Sequence, residues 1–372
     1  MVAARSFLHI LAMDHSSRTD VNAQPELVLV TGATGMLGSN LVRALAARGL
    51  RVRGLCRSPE KARRYLADVD CEIVEGDMRD VASFAHALAG CSRVFHTAAY
   101  FREYYRPGDH DSELEAINVQ GTLALMQAAD SAGVRCFVHT SSSGAVGMKP
   151  DGSPGDEDTP AGDELLQNGY FRSKVDGDRK IHAFKPQHGM RVIEILPGFM
   201  FGPGDAAPTA SGQLVLDFLA GKLPIIPEGG TNMVDARDVA SAMITCSERA
   251  EHGARYIVAG ESRTLAEVLR SLEELTGVRG PRRKVPFAVV MAYAWVEELR
   301  ARITGGPLLV SREGIKVMRM RHTVSSQRAM RELGVKFRPF SETLRDVLAW
   351  YRQEGWVGAP RMAAGTPVRS GA

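Results

Sequence analysis

The sequence predicts an α/β protein: a doubly wound parallel sheet followed by a smaller C-terminal lobe. Over the first 200 residues, short apolar runs alternate with stretches long enough for helices, which is typical of a parallel sheet with helical crossovers. Beyond Pro197 this alternation dissolves into irregular segments and helices. Apolar residues make up 44% and charged residues 24% of the 372 residues, a composition that predicts a buried core and excludes wholesale disorder.

Six short segments are predicted as strands of this sheet. Each is rich in apolar residues and leaves room for a helix before the next one. In chain order they are residues 27–30, 51–56, 72–75, 94–95, 136–139 and 192–196. Repeated strand–helix–strand units imply right-handed crossovers, so the carboxyl ends of the strands meet at one edge of the sheet. Ligands of open α/β sheets bind at that edge.

A glycine-rich turn, TGATGMLG at residues 31–38, follows the first strand directly. Gly32 allows a tight exit from the strand, and Gly35 lets backbone N–H groups approach a pyrophosphate. Gly38 lets the following helix pack closely on the sheet. The anion would lie at the positive N-terminus of that helix. The spacing is GxxGxxG, and an ordinary glycine-rich turn is the alternative interpretation.

The end of the second strand indicates which dinucleotide is preferred. Enzymes that use NAD usually present an acidic side chain here, whereas this chain has Cys56, Arg57 and Ser58. A guanidinium suits the additional 2′-phosphate of NADP, because it forms bidentate, charge-assisted hydrogen bonds. We therefore expect NADP as the cofactor, with NAD second. A solvated arginine within a basic stretch is the alternative.

The sequence YFRSK at residues 170–174 carries an acid/base pattern. On a helix, positions i and i+4 share a face, so the ammonium of Lys174 is expected near the phenol of Tyr170. A nearby cation stabilises a phenolate and lowers its pKa toward a useful range. A buried tyrosine beside a solvated lysine is the alternative. One strand–helix unit earlier, a serine cluster at residues 141–143 ends the fifth strand, where a hydroxyl can bind a substrate oxygen or cap a turn.

These motifs, in this order, resemble the extended short-chain dehydrogenase/reductase family, in its NAD-dependent epimerase/dehydratase and dihydroflavonol-reductase-like branch. The resemblance covers about residues 26–356. Further segments that resemble family motifs are GDMRD at 76–80, HTAA at 96–99, NVQGT at 118–122 and LPG at 196–198.

The resemblance implies a role for each matching position. Tyr170 is the general acid/base, Lys174 tunes it and holds the nicotinamide ribose, and Ser142 binds the carbonyl oxygen. Ser141 and Ser143 stay open for that last role, because a triple serine blurs the register. The implied cofactor-binding residues are Gly32, Thr34, Gly35, Met36, Leu37, Gly38, Arg57, Asp77, Met78, Thr97, Ala98, Ala99, Asn118, Tyr170, Lys174 and Pro197.

The substrate pocket is expected after the fourth strand, where residues 100–105 read YFREYY. These aromatic side chains could stack on a ring-shaped or apolar substrate, or anchor a loop. The predicted substrate-binding residues are Tyr100, Ser143, Phe199, Met200 and Arg237.

The predicted function is therefore an NADP-dependent oxidoreductase that reduces a ketone or aldehyde, or oxidises the alcohol, of a ring-shaped or apolar small molecule. Tyr170 is the acid/base in this reaction. The alternative is an NAD-dependent sugar or nucleotide-sugar epimerase/dehydratase with a tightly held cofactor. Arg57 favours the first function, and so does the lack, after Pro197, of the aromatic–asparagine pair familiar in nucleotide-sugar enzymes.

Six segments are expected along the chain. Residues 1–24 form a mobile tail, 25–197 a Rossmann domain that binds NAD(P), and 234–260 return to that domain. Residues 198–233 and 261–356 form a smaller, substrate-binding lobe. Residues 357–372 form a mobile C-terminal tail that is small and polar.

Composition limits the partners and the location. With 46 basic and 43 acidic residues, the net charge of +3 predicts no nucleic-acid partner. Five scattered cysteines indicate reduced thiols and a cytoplasmic protein, and ten scattered histidines predict no metal site. The longest apolar run, 285–296, is too short to span a bilayer, so no membrane partner is expected. The partner is a small-molecule substrate. A homodimer through helices at 113–132 and 164–184 is left open, because packing on the sheet explains their faces equally well.

Overall fold

A computed structural model describes residues 25–101, 104, 108–223, 225, 229–282, 285–304 and 311–357. The tail predicted at 1–24 lies outside the described residues, and so does all of the C-terminal tail except residue 357. The mobility of both tails stays a prediction.

Ten strands form in the described part of the chain. They are β1 (Leu27–Thr31), β2 (Arg51–Cys56), β3 (Glu72–Glu75), β4 (Cys91–His96), β5 (Cys136–Thr140), β6 (Arg191–Pro197), β7 (Phe199–Phe201), β8 (Gly230–Asp235), β9 (Arg255–Val258) and β10 (Glu261–Thr264). Seven of them form a parallel sheet in the order β3-β2-β1-β4-β5-β6-β9. The chain starts in the middle and winds outward in both directions, so the predicted α/β, doubly wound parallel sheet is confirmed.

The helices flank this sheet and build the C-terminal part of the chain. They are α1 (Met36–Ala46), α2 (Pro59–Tyr65), α3 (Val81–Phe84), α4 (Asp111–Glu113), α5 (Thr122–Ser131), α6 (Asp163–Leu166), α7 (Gly169–Ala183), α8 (Ala210–Leu219), α9 (Ala236–Arg249), α10 (Leu265–Thr276), α11 (Phe287–Thr304), α12 (Arg312–Arg319), α13 (Gln327–Glu332) and α14 (Phe340–Gln353). A π-helical segment, Leu114–Gly121, joins α4 to α5.

The central strands are apolar because both faces of the sheet are covered. Val28, Leu29 and Val30 of β1 have no exposed surface. Side chains of α1 and α9 pack on one face of the sheet, and α5 packs on the other. This two-sided burial explains why the strands read as continuous apolar runs and not as an alternating pattern.

A second sheet, of three strands in the order β10-β8-β7, lies in the C-terminal half. It packs against α10 and α14 through an apolar cluster that includes Phe201, Val268 and Tyr351. The sequence predicted only irregular segments and helices here. β7 has only three residues, β8 is interrupted by polar residues and β10 consists of them, so none of the three shows the longer apolar run on which the prediction relied.

Two other predicted elements differ from the structure. The helix expected at 164–184 is split into α6 and α7, because the side chain of Asn168 accepts a hydrogen bond from Phe171 N at 3.1 Å and starts a new helix. The helix expected at 113–132 contains the π-helical segment. Within residues 234–260, β9 joins the main sheet and α9 packs on it. The last two residues of β8 also fall in this range, but β8 belongs to the small sheet.

All five cysteines are free thiols, and four of them are buried. Within the described ranges, no helix is long and apolar enough to cross a membrane. The same ranges contain no group of three metal-ligating side chains.

Candidate active site

A cavity of about 1190 Å³ lies at the carboxyl ends of the main-sheet strands. We call its first side the strand-end wall; it consists of the lining residues in or directly after β1, β2, β4, β5 and β6. We call the opposite side the lobe wall; it consists of the lining residues of α8, α11 and α12 and those directly after α12. The volume is large enough for a dinucleotide and a small molecule together.

The glycine turn is tightly packed, and its backbone faces the cavity. Gly32 has a φ of +66°, and a Cβ there would lie 2.9 Å from Ala98 N. A Cβ on Gly38 would lie 2.2 Å from Gly32 O, so only glycine lets α1 approach the strand this closely. Gly35 is the N-cap of α1, and no side chain caps the backbone N–H groups of the first turn of α1. The turn therefore fits an anionic ligand such as a pyrophosphate.

Two basic side chains, Arg57 and Lys61, line the cavity beyond the end of β2. Ser58 caps α2 by accepting a hydrogen bond from Lys61 N at 3.2 Å, which directs the first turn of α2 along the cavity. Across from them, the carboxylate of Asp77 accepts hydrogen bonds from Arg79 N at 2.9 Å and Arg79 Nη1 at 3.2 Å. The ribose end of a dinucleotide would meet net positive charge here.

The residues after β4 are held in place by a buried polar chain. Thr31 Oγ1 lies 2.7 Å from His96 Nδ1 and accepts hydrogen bonds from Thr97 N and Ala98 N, each at 3.2 Å. His96 Nε2 lies 3.0 Å from Thr122 Oγ1. Burial lowers the pKa of His96 to about 3, so its ring is neutral and serves as a spacer. The role of His96 was missed, although it stands in the motif that the sequence analysis identified.

Asn118 does not line the cavity but organises its wall from behind. Its Oδ1 accepts a hydrogen bond from Tyr100 N at 2.7 Å, while its Nδ2 donates to Tyr100 O at 3.1 Å and to Ser173 Oγ at 3.1 Å. It lies in the π-helical segment, a geometry that is frequent at functional sites. Asn118 thus joins the segment after β4 to α7, which carries Tyr170.

The three predicted catalytic residues meet at the cavity. Ser142 lies close enough to the Tyr170 hydroxyl to influence its pKa, and Ser142 Oγ accepts a hydrogen bond from Gly144 N at 3.1 Å. Lys174 Nζ donates to Thr140 O at 2.9 Å and lies 5.9 Å from the centre of the Tyr170 ring. All three side chains are buried and line the cavity.

The sequence analysis expected Lys174 to lower the pKa of Tyr170, and this expectation is wrong. Burial raises the pKa of Tyr170 well above its ordinary value, the negative charge of Asp178 raises it further, and the nearby Ser142 hydroxyl lowers it by less. Burial also lowers the pKa of Lys174. The Lys174 ammonium is directed at the Thr140 carbonyl. The cost of desolvating the Tyr170 phenolate therefore outweighs the attraction between the phenolate and this ammonium. Tyr170 is a protonated phenol at neutral pH.

A buried charge cluster behind the site distinguishes the serines. Ser141 Oγ donates to Asp178 Oδ2 at 2.8 Å, and Arg255 donates to Asp178 and Glu194 at 3.1 and 2.9 Å. Burial raises the pKa of Asp178, and the negative charge of Glu194 raises it further. Ser141 is thus engaged away from Tyr170, whereas Ser142 lies beside the Tyr170 hydroxyl. Asp178 was missed, yet its position four residues after Lys174, on the same helix face, could have revealed it.

Four of the five predicted substrate-binding residues, Tyr100, Ser143, Phe199 and Met200, line the cavity. Arg237 does not. Its guanidinium is bound to Asp235 at 2.7 Å and to Asp346 of α14 at 2.7 Å, and its neighbours therefore hold it in a structural ion-pair network away from the cavity. The fifteen cofactor-binding candidates other than Asn118 all line the cavity wall.

Most of the lobe wall was missed in the sequence. Ile315, Met318 and Met320 line the cavity from α12 and the residue following it, and Gln213 and Leu214 line it from α8. The available signal was weak: Ile315 and Met318 are three residues apart in a short helix with four charged residues, which predicts one apolar face but not what that face contacts.

Comparisons with known proteins agree with this geometry. The profile of the NAD dependent epimerase/dehydratase family matches residues 28–259, more than half of the chain. The chain is 36% identical over 333 residues to sterol demethylase protein B of Methylococcus capsulatus, covering 88% of this chain and 99% of that protein. It is 31% identical over 339 residues to a candidate dihydroflavonol 4-reductase of Synechocystis sp., covering 90% and 97%. The crystal structure of gox2253 superimposes with a TM-score of 0.75 at 35% identity, covering 90% and 100%.

Proposed function

The chain belongs to the NAD-dependent epimerase/dehydratase family of extended short-chain dehydrogenases/reductases, and we propose that it is an NADP-dependent oxidoreductase. Its reaction is the reduction of a ketone or aldehyde on a ring-shaped or apolar small molecule, or the reverse oxidation. The observation that carries this proposal is the placement of Ser142, Lys174 and a protonated Tyr170 together in one cavity, which has the glycine turn on one side and apolar side chains on the other.

The state of Tyr170 favours reduction. A phenol with a raised pKa holds its proton at neutral pH and can donate it to an oxygen that gains negative charge. Ser142 Oγ accepts its bond from Gly144 N, so its own proton is available for the carbonyl oxygen. The two hydroxyl groups would bind the substrate oxygen and orient the carbonyl carbon toward the strand-end wall.

The residues of the strand-end wall fit a dinucleotide cofactor, which supplies the hydride when bound. Backbone N–H groups of the glycine turn would hold its pyrophosphate, and Asp77 and Met78 line the cavity where its adenine would lie. Lys174, which is anchored to Thr140 O, would bind the nicotinamide ribose and support the charge on Tyr170 during proton transfer.

The choice of NADP rests on charge at the end of β2. Arg57 and Lys61 both line the cavity there, and a phosphate monoester between an arginine and a lysine forms strong charge-assisted hydrogen bonds. The ribose 2′-hydroxyl of NAD would gain much less from these cations.

The substrate class rests on the lobe wall and on the named relatives. Leu214, Ile315, Met318 and Met320 give this wall an apolar surface that suits rings and hydrocarbon more than a sugar. Sterol demethylase protein B and the candidate dihydroflavonol 4-reductase are both named for ring-shaped substrates of low polarity.

The test is a fluorescence titration of the purified protein with NADPH and NADH, followed by turnover on a panel of steroid and flavonoid ketones. Wild type is expected to bind NADPH at least tenfold more tightly than NADH. Arg57→Ala removes most of this difference and leaves NADH binding unchanged, whereas Arg63→Ala, an exposed arginine of α2, changes neither. Stoichiometric NAD that co-purifies and exchanges slowly would overturn the proposal and support the epimerase/dehydratase alternative.

A further inference from the structure

Helix α11 exposes an apolar stripe. Its members are Val289, Trp295, Val296, Leu299 and Ile303, whose exposed fractions are 54%, 54%, 52%, 43% and 76%. At about 100° per residue, these five positions fall within about 120° of one another around the helix, so they share one side of it over about 21 Å. Of the seven large apolar side chains exposed in the described part of the chain, these are five.

Packing inside the protein does not account for this stripe. The buried side of α11 carries Val290, Ala294, Glu297 and Ala301, and an apolar cluster joins Val290 and Ala294 to Ile315 of α12. Glu297 is paired with Arg300 at 2.8 Å. The helix thus has its own apolar contact inside the protein, and a helix that only covered the cavity would have a polar outer face in place of the stripe.

Positive charge surrounds the stripe. The segment 279–321, which contains α11 and α12, has ten of the 46 basic residues of the chain but only three of its 43 acidic residues. The rest of the chain is therefore net acidic. Arg282, Arg302, Lys316, Arg319 and Arg321 are exposed around α11. An apolar stripe that includes a tryptophan, with a basic margin, matches a helix that lies in the headgroup region of an anionic bilayer.

The stripe also leads to the cavity. Ala301 and Arg302, in the last turn of α11, line it together with Ile315 and Met318 of α12. We propose that α11 docks on an anionic lipid surface with the stripe toward the acyl chains, so that an apolar substrate reaches the lobe wall from the bilayer. The second half of this statement rests on the proposed function. The proposal departs from the sequence expectation of no membrane partner, which considered only spanning segments.

A second copy of the chain fits the stripe less well. Two copies that paired through α11 would bring two strongly basic margins together, with three acidic residues in each segment to offset them. Like charges opposed across an interface weaken association. An anionic bilayer, in contrast, would neutralise the basic margin with its headgroups and cover the stripe with its acyl chains.

The test is vesicle flotation of the full chain. The vesicles are phosphatidylcholine alone, or phosphatidylcholine with phosphatidylglycerol at about 7:3. Wild type is expected to float with the anionic vesicles, less at high salt, and weakly with the neutral ones. The double variant Leu299→Glu, Ile303→Glu loses at least tenfold in binding. Met330→Glu, which changes an exposed methionine of α13, binds like wild type.

Fluorescence locates the contact. Wild-type emission shifts to the blue on anionic vesicles, and Trp295→Phe loses most of this shift while it still floats. Wild type that fails to float, or a double variant that floats like wild type, overturns the proposal. A wild-type dimer that the double variant dissociates, without flotation, also overturns it and assigns the stripe to a second copy. NADPH titration without vesicles keeps the two proposals separate: protein that floats but does not bind NADPH refutes only the proposed function.

Discussion

The strand-end wall and the lobe wall face the same cavity, yet they are built from different parts of the chain. The strand-end wall consists of backbone groups, glycines and small polar side chains directly after successive strands, and strand pairing fixes their positions. The lobe wall consists of side chains from α8, α11 and α12, which pack together from segments about 100 residues apart. The first wall suits a ligand with fixed geometry, and the second suits a ligand defined by shape and polarity.

This difference separates chemistry from specificity. A change in the strand-end wall should impair cofactor binding or proton transfer equally for every substrate. A change in the lobe wall should alter the KM of one substrate relative to another and leave the cofactor alone. Each prediction below tests one side of this division, from the largest expected effect to the smallest.

Tyr170→Phe removes only the hydroxyl that lies beside Ser142 in the cavity. We expect turnover to fall about 10³-fold on every carbonyl substrate, because general acid catalysis contributes 10²–10⁴-fold. NADPH binding should stay within about twofold of wild type, since the phenyl ring keeps its packing. Steady-state kinetics and fluorescence titration measure the two effects, with Tyr65→Phe on α2 as the control. Retention of more than a tenth of the activity would remove Tyr170 from the proposed mechanism.

Gly38→Ala places a Cβ 2.2 Å from Gly32 O. The atoms it would meet belong to the backbone, so the backbone itself must move to make room. We expect a loss of about 3 kcal/mol in the free energy of unfolding and at least tenfold weaker NADPH binding, because α1 must move away from the turn. The control is Gly162→Ala, whose Cβ would meet nothing within 4 Å. Urea unfolding and NADPH titration test the pair. If Gly38→Ala and Gly162→Ala behave alike, tight packing does not hold the strand-end wall.

Asp205 lies in the turn before α8 and accepts hydrogen bonds from Thr209 N and Oγ1 at 2.8 and 2.9 Å. Burial raises its pKa to about 6, so the folded protein keeps this proton longer than the unfolded chain does. The stabilising contribution is therefore complete below the ordinary pKa of about 4 and is lost as pH rises through about 6.

Asp205→Asn should remove this pH dependence. From pH 4 to pH 7, wild type should lose about 2–3 kcal/mol of unfolding free energy relative to the variant. Urea unfolding of both proteins across this range measures the difference. A difference that stays constant with pH would show that the carboxyl is already ionised in the folded protein at pH 4.

Met320→Ala shortens one side chain of the lobe wall. We expect the KM of an apolar ring substrate to rise roughly tenfold, since about 1.5 kcal/mol of apolar contact is lost. The kcat and the dissociation constant of NADPH should not change. Met330→Ala, at an exposed position outside the cavity, is the matched control. An equal loss for NADPH would contradict the division between the two walls.

Residues close together in the sequence account for most of the predicted site residues that line the cavity. The glycine turn, Arg57, the serines after β5 and the Tyr170–Lys174 pair each lie in one strand–turn–helix unit, so local rules place them at the cavity. Arg237 was predicted from its segment alone, and the carboxylate of Asp346, more than 100 residues away, holds it elsewhere. The small sheet and the lobe wall were missed for the same reason.

The sequence by itself determined the doubly wound sheet, the family and the positions of the glycine turn and of the helix that carries Tyr170. These depend on residue periodicity and spacing within single units, which hydrogen bonding and helix geometry convert directly into position. The tertiary structure alone decided which serine meets Tyr170, which direction its pKa takes, and where α11 turns its apolar stripe. Each of these depends on burial and on charges such as Asp178 and Glu194 from separate elements, and desolvation is a property of the packed molecule, not of a segment.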